Sequence, residues 1–154
     1  MEQKYNKRAW VLRNLKRSGF GCTDLVIVYT SLVRPVFDYT SVTYHLILTA
    51  TQTLRLEQLQ KRAPKIIFGY NKCYDELLEL AGITTLKIRR ETMIDSFIEK
   101  NLESRFATEW FPRKFRHGYD TRFEEDYVEN KANTERMRNS PLNYFRRRLN
   151  ERNI

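Results

Sequence analysis

Arg55, Gln58, Arg62 and Lys65 recur at intervals of three, four and three residues, the pitch that lines side chains along one side of a helix. Three of the four are cations. A row of cations at that rise can meet successive phosphates of a polynucleotide backbone. The same row is also what a solvated helix face looks like. Lys16, Arg17, Arg34 and Lys61 lie in the same half of the chain, and Arg113, Lys114 and Arg146 to Arg148 form a second cluster. Tyr and Phe neighbours of such cations can stack on bases while the cations hold phosphates. These twelve basic residues are the candidate nucleic-acid contacts.

Other chemistries find no constellation. His45 lies in an apolar stretch, which suits a core or boundary position better than a general base. His117 is followed by Gly118 and Asp120, which is not the His-x-Asp spacing of a non-haem iron site, so no metal and no cofactor is expected. Cys22 and Cys73 have no activating partner nearby in sequence and act as small hydrophobes. Gly19-Phe20-Gly21 lacks the rest of either phosphate-cradling motif. The one acidic run, Glu124-Glu125-Asp126, is not framed by apolar strands as a polymerase's metal-binding carboxylates would be. No catalytic residue and no small-molecule substrate are expected.

The elements that must position the basic stripe are helical. Between Thr49 and Tyr70, Leu56, Leu59, Ala63, Ile66 and Ile67 supply an apolar face that predicts a helix docked on a core with the cations outward. Thr49 with Gln52 is spaced as a capping box, and Gly69 stands where that helix would stop. Tyr5, Ala9, Leu12 and Leu15 or Lys16 predict a helix over 3–17, with Lys4, Lys7, Arg8, Arg13 and Arg17 on its other face. Thr23 is a plausible N-cap for a helix over about 24–38, kinked by Pro35; Val42 to Leu48 either extends it or forms a buried extended connection. A short helix over 75–81 ends at Gly82. A longer one runs from Thr84 or Thr85 to about Ser104, with Glu91, Asp95, Glu99 and Glu103 on one face, solvated or paired with cations elsewhere. From Thr108 to Asn139 the period dissolves, and Trp110, Phe111, Phe115, Tyr119, Phe123 and Tyr127 alternate with charges. Ser140-Pro141 opens a last helix with Leu142, Phe145 and Leu149 inward and Arg146 to Arg148 mostly outward.

The expected fold is therefore all-α: a small bundle of five to six helices over residues 1–107, and an irregular aromatic and basic segment, 108–154, closing in a short helix. Five Gly and four Pro are few for an all-β chain, and 41% hydrophobic residues exclude wholesale disorder. The formal net charge is +9. Residues 1–72 hold 12 Lys/Arg against 4 Asp/Glu, residues 73–107 hold 5 against 7, and residues 108–154 hold 11 against 8. The excess sits around the first helices, which favours a polyanionic partner. Charged Met1 to Arg8 is followed by no apolar signal core, and no apolar run is long enough to span a bilayer. No membrane partner is expected, and the compartment is expected to be intracellular, cytoplasm or nucleus, with reduced thiols.

Taken in order, five segments resemble the region that follows the polymerase palm in non-LTR (LINE-type, jockey-like) retrotransposon reverse transcriptases. KRAWVLRNLKRSGF (7–20) resembles the family's first helix after the palm, and DLVIVYTSLVRPVFDYTSVTYH (24–45) resembles its YxSxxRPxxxYxSxxW segment, with Tyr44 in place of the usual Trp. RLEQLQKRAPKIIFG (55–69), YDELLELAGITTLKIRR (74–90) and RNSPLNYFRRRLN (138–150) resemble the family's next three segments. The resemblance implies a thumb-like helical subdomain of an RNA-directed DNA polymerase, packing beside a palm domain and holding an RNA–DNA hybrid or duplex by its backbone. It implies phosphate contacts for Arg55, Arg62 and Lys65 and structural roles for Arg34, Pro35 and Tyr39. No Tyr-x-Asp-Asp occurs in these 154 residues, so the implied role is binding without polymerisation. Pro64 falls inside the third segment, where a proline costs ~3 kcal/mol or more and predicts distortion of the helix. The alternative is a protein-interaction module, or a non-functional retroelement remnant, exposing the apolar surface that once faced the palm.

Overall fold

The computed structural model describes residues 1–114 and 126–152. Phe115, His117, Gly118, Tyr119, Asp120, Phe123, Glu124 and Glu125 lie outside the described residues. The fold is all-α. Among the described residues, six helices of seven or more residues carry it: α1 (Glu2–Arg17), α2 (Cys22–Val28), α5 (Ala50–Phe68), α6 (Tyr74–Ala81), α7 (Leu86–Leu102) and α10 (Pro141–Arg152). Four single turns, α3 (Pro35–Asp38), α4 (Ser41–Tyr44), α8 (Ala107–Trp110) and α9 (Glu135–Arg138), link them.

The chain forms two compact units, which do not divide at 107/108. The first takes Met1–Ser41 and Leu48–Glu91, and the second takes Val42–Ile47 and Thr92–Ile154. Helix α7 thus contributes its first residues to one unit and the rest to the other. Leu86 and Ile88 precede Met93, Ile94, Phe97 and Ile98 on one helix, which is why residue spacing alone joins it to a single core, but the side chain buried at the boundary is Arg90.

In the first unit, Tyr5, Ala9 and Leu12 of α1 and Leu59, Ala63 and Ile67 of α5 are almost fully buried in one cluster with Leu25, Tyr29, Val33 and Phe37. The rings of Tyr5 and Phe37 lie 5.3 Å apart. The capping box of α5 forms as spaced: Gln52 N–H donates to Thr49 Oγ1, and Thr49 N–H donates to Gln52 Oε1 at 3.0 Å. Helix α2 opens one residue before the expected cap, with Gly21 at the N-cap in place of Thr23. The kinked helix expected over 24–38 is instead interrupted. Tyr29–Val33 is wound as a π-turn in which Arg34 N–H reaches back to the Tyr29 carbonyl at 2.9 Å. This extra residue is absorbed just ahead of Pro35, whose ring nitrogen has no hydrogen to donate, and Pro35 then begins α3. Val42 to Ile47 is helical, α4 followed by a 3₁₀ turn over His45–Ile47, and belongs to the second unit.

The second unit buries Ile94 and Ile98 of α7, Phe111, Tyr127, and Phe145 and Leu149 of α10. Among the described residues, 111–114 and 126–134 are irregular apart from one isolated bridge, and α10 supplies what a sheet would otherwise supply. Asn150 accepts from the backbone N–H of Tyr127 at 3.0 Å and donates to its carbonyl at 3.2 Å. Asn143 does the same for Asn130 at 3.1 and 3.3 Å and also donates to the Met137 carbonyl. Two buried asparagine side chains, two turns apart on one helix face, thereby pair the buried backbone of Tyr127 and tie the exposed Asn130 and Met137 to α10.

Two backbone rules are broken in the first unit. Pro64 lies inside α5, which nevertheless continues to Phe68; with no N–H at residue 64, the Gln60 carbonyl loses its intrahelical partner. Pro64 itself is buried between Ala63 and Ile67, so the apolar stripe holds the helix through the defect. Thr40 has φ +55°, a left-handed conformation that is strained for a β-branched side chain. Replacing Pro64→Ala is expected to raise stability by about 1–2 kcal/mol, most of the interior-proline penalty less the lost rigidity of the unfolded chain. Thr40→Asn is expected to raise it by about 1 kcal/mol, since asparagine tolerates this region. The urea midpoint checks both: an unchanged or lowered value removes the claim of strain at that site.

Candidate nucleic-acid interface

The first-unit candidates sit in three different electrostatic situations. Arg55 is exposed but already paired, its Nη2 2.8 Å from Glu2 Oε2. Lys61 and Lys65 are half-buried and lie over tyrosine rings, Lys61 5.5 Å from the Tyr74 centroid and Lys65 5.8 Å from that of Tyr70. Arg34 is half-buried beside Asp38 at 4.0 Å, a carboxylate also gripped by Arg89 at 2.8 Å. Lys16, Arg17 and Arg62 remain exposed, with Lys16 Nζ 3.7 Å from the Cys22 sulfur. The stripe Arg55–Gln58–Arg62–Lys65 is therefore present on α5, but Arg62 is the cation in it that retains an open surface position with no ion pair among the described residues.

Helix α1 is more basic than α5. Lys4, Lys7, Arg13, Lys16 and Arg17 are exposed along it, and its one carboxylate, Glu2, is engaged by Arg55. Burial pushes the Tyr5 hydroxyl up to about 12, and the positive charges of Arg62 and Arg13 pull the other way. The two neighbouring helices thus each carry an exposed cation that acts on the same buried group. Residue spacing does not single out Arg13, because Arg62 is forty-nine positions away in sequence.

The one carboxylate of α5 itself is turned inward, whereas Asp24 of α2 and Asp75, Glu76 and Glu79 of α6 are exposed. Glu57 accepts from the Tyr74 hydroxyl at 3.0 Å and from the Lys87 backbone N–H at 2.9 Å, placing its charge at the start of α7. Burial and the Glu57 carboxylate together raise the Tyr74 hydroxyl well above the usual phenol range. With Glu2 and Glu57 engaged, the exposed charges of α1 and α5 themselves are cations.

The second-unit cluster behaves differently. Arg113 and Lys114 are exposed beside the isolated bridge between Arg113 and Tyr127. Arg146 to Arg148 do not point mostly outward. Arg146 is 4% exposed, with Nε donating to the Trp110 carbonyl at 2.8 Å, and its burial lowers the guanidinium's pKa. Arg147 donates to the Arg138 carbonyl at 3.0 Å and approaches Glu129 at 3.7 Å. Arg148 binds Asp95 through two nitrogens, and Arg152 reaches the same carboxylate at 2.8 Å and Glu99 at 3.4 Å. The signal for Arg146 was present: it stands four residues after Leu142 and three before Leu149, on the core-facing side of α10. These arginines staple α10 to α7 and to the end of α8, and they occupy part of the acidic face of α7.

A cleft of about 450 Å³ opens between α1 and α3, lined by Met1, Lys4, Arg8, Pro35, Val36 and Tyr39. Arg8 Nη1 donates to the Leu32 carbonyl at 2.7 Å, which ties α1 to the π-turn. Among the described residues, no group of His, Cys, Asp and Glu is placed to hold a metal ion, and no helix is long and apolar enough to cross a membrane. The chain matches no protein-family model, no curated protein and no solved structure.

The Asp95–Arg148 pair yields a pH prediction. The Arg148 hydrogen bonds hold the Asp95 carboxyl below its usual range. A carboxyl lowered on folding contributes stability that is complete above its unfolded pKa, near 4, and is lost as pH falls through the folded value. Unfolding of the second unit is therefore expected to become easier below about pH 4, and Asp95→Asn should flatten that acid limb while lowering stability at pH 7. Trp110 fluorescence against urea at pH 3 to 7, in a Trp10→Phe background, reads it; an unaltered acid limb in Asp95→Asn shows that the pair does not control it.

Proposed function

We propose that the first unit is a sequence-nonspecific nucleic-acid-binding module, thumb-like in the manner of a non-LTR retrotransposon reverse transcriptase, that holds an RNA–DNA hybrid or duplex by its phosphates. The observation that carries the reading is the basic edge of α1 and α5. Arg13, Lys16, Arg17 and Arg62 are exposed there while the two carboxylates of these helices, Glu2 and Glu57, each have a partner within the unit. Backbone binding needs cations at spaced positions and little else, which accounts for an interface without hydrogen-bond readers of base edges. The ordered series of five motifs is what supports placing the module beside a polymerase palm. In that setting this chain is a binding element, and the carboxylates that hold catalytic metals belong to the palm.

The proposed contacts are Arg13, Lys16, Arg17 and Arg62, with Lys61 and Lys65 contributing beside their tyrosine rings. Arg55 contributes less, because releasing it from Glu2 exposes a carboxylate to the same phosphates. Affinity for a blunt RNA–DNA hybrid, measured across a salt series, is expected to fall steeply with salt. Changing Arg13, Lys16 and Arg62 together to Ala should flatten the log–log slope by about 2–3, near 0.9 per lost phosphate contact, whereas Arg55→Ala should change it by less than about 1. Binding that ignores salt, or a triple variant that matches wild type, removes this reading. The second reading is a protein-interaction module, motivated by Trp10 on α1 and Leu54 on α5, 60% and 64% exposed. It would then be read from concentration-dependent association in sedimentation.

A further inference from the structure

We infer that the cleft between α1 and α3 binds one unpaired nucleotide, with its base stacked on Tyr39 and its phosphate held by Lys4 and Arg8. The inference rests on the nucleic-acid reading of the first unit but concerns residues that take no part in the duplex edge. Tyr39 is 77% exposed, which leaves its ring open to a stacking partner. Pro35 and Val36 form the apolar wall beside it, Lys4 and Arg8 bring positive charge, and among the described residues no carboxylate lines the cleft. Arg8 is fixed by its bond to the Leu32 carbonyl, which leaves its remaining N–H groups for a ligand. A volume of about 450 Å³ falls within the ordinary range for small-ligand sites.

The backbone beneath the ring is built for orientation. Thr40 holds its left-handed conformation immediately after Tyr39, and Thr40 Oγ1 donates to the Tyr39 carbonyl at 2.7 Å. An aromatic face with two cations and an apolar wall matches a nucleotide rather than a peptide carboxylate, which would leave the ring bare. Lys4 and Arg8 lie on the flank of α1 opposite Arg13 and Arg17, across its buried stripe, so the nucleotide assigned to the cleft is an unpaired residue of a strand overhang that runs past the duplex and round α1. It supplies a selectivity that backbone contacts lack: a duplex end with a tail over a blunt end.

The test compares the full chain binding a blunt RNA–DNA hybrid, the same hybrid with a four-nucleotide single-stranded overhang, and that overhang carrying sugars and phosphates without bases. Wild type is expected to gain at least about fivefold from the normal overhang relative to the abasic one, the lower bound for stacking one base on an aromatic ring. Tyr39→Ala should abolish that gain without changing affinity for the blunt hybrid, Tyr39→Phe should retain it, and Lys4→Ala with Arg8→Ala should reduce it. No gain from bases, or a gain that survives Tyr39→Ala, overturns the inference while salt-dependent binding of the blunt hybrid would still uphold the duplex reading. Tyr39-dependent gain with salt-insensitive blunt binding sustains the cleft and overturns the duplex edge. Failure of every probe to bind overturns both.

Discussion

The first unit depends on burying one stripe of α1 against one stripe of α5. Ala9 and Ala63 are fully buried at the middle of those stripes, and small side chains there let two helix backbones approach closely. Once Tyr5, Leu12, Leu59 and Ile67 are committed inward, the helical repeat leaves other positions of both helices to solvent, and the charged residues among the exposed ones are all Lys or Arg. The basic edge is thus a consequence of packing: the core chooses which side of each helix remains, and the sequence has filled that side with one sign of charge. This constraint also explains why Pro64 is tolerated. A lost hydrogen bond at one carbonyl is outweighed by a continuous apolar seam on either side of it.

Carboxylates do the complementary work. Glu57 is a half-buried acceptor for one tyrosine hydroxyl and one backbone N–H, and so links α5 to α6 and α7. Asp38 gathers Arg34 and Arg89, and Asp95 gathers Arg148 and Arg152. In each unit these acids are spent on internal joints. The two units differ in what remains. The first keeps exposed cations along α1 and on Arg62, whereas the second draws Arg146, Arg147 and Arg148 into its own framework. A run of three arginines looks like a binding patch by composition, yet here it is the mechanical attachment of α10.

Local signals were legible and long-range ones were not. The Thr49–Gln52 capping box, Gly82 past α6 and the Ser140-Pro141 opening of α10 all involve residues within one turn of each other, and spacing alone identifies them. Cys73 as the N-cap of α6, accepting from Glu76 N–H, was not legible because cysteine is a poor prior for that place. The division at Glu91/Thr92 was hidden because apolar residues recur on both sides of it along one continuous helix, and the π-turn by a sequence that keeps helical periodicity up to Pro35. For the candidate interface, the stripe on α5 could be read directly. The neutralisation of Arg55 by Glu2, the joint action of Arg13 and Arg62 on Tyr5 and the loss of Arg146 to the core each require interactions across tens of residues, which residue spacing does not encode.

The irregularities of the first unit are not scattered. The π-turn over Tyr29–Val33, Pro35 at the start of α3, the exposed ring of Tyr39 and the left-handed Thr40 fall within twelve consecutive residues. In a helix running straight from Cys22 through Asp38, Pro35 would leave the Ser31 carbonyl without its partner. The extra residue of the π-turn rotates the next segment of chain, Pro35 restarts the helix, and Thr40 ends it with a reversal that leaves Tyr39 facing outward. Each departure is costly alone, and strain of this kind persists only where surrounding packing over-determines it. Val33, Val36 and Phe37, all buried in the first core, supply that packing. The same three residues that anchor the segment therefore hold Tyr39 at the mouth of a cationic cleft, so the cleft's geometry is coupled to the stability of the core rather than to the adaptability of a loop.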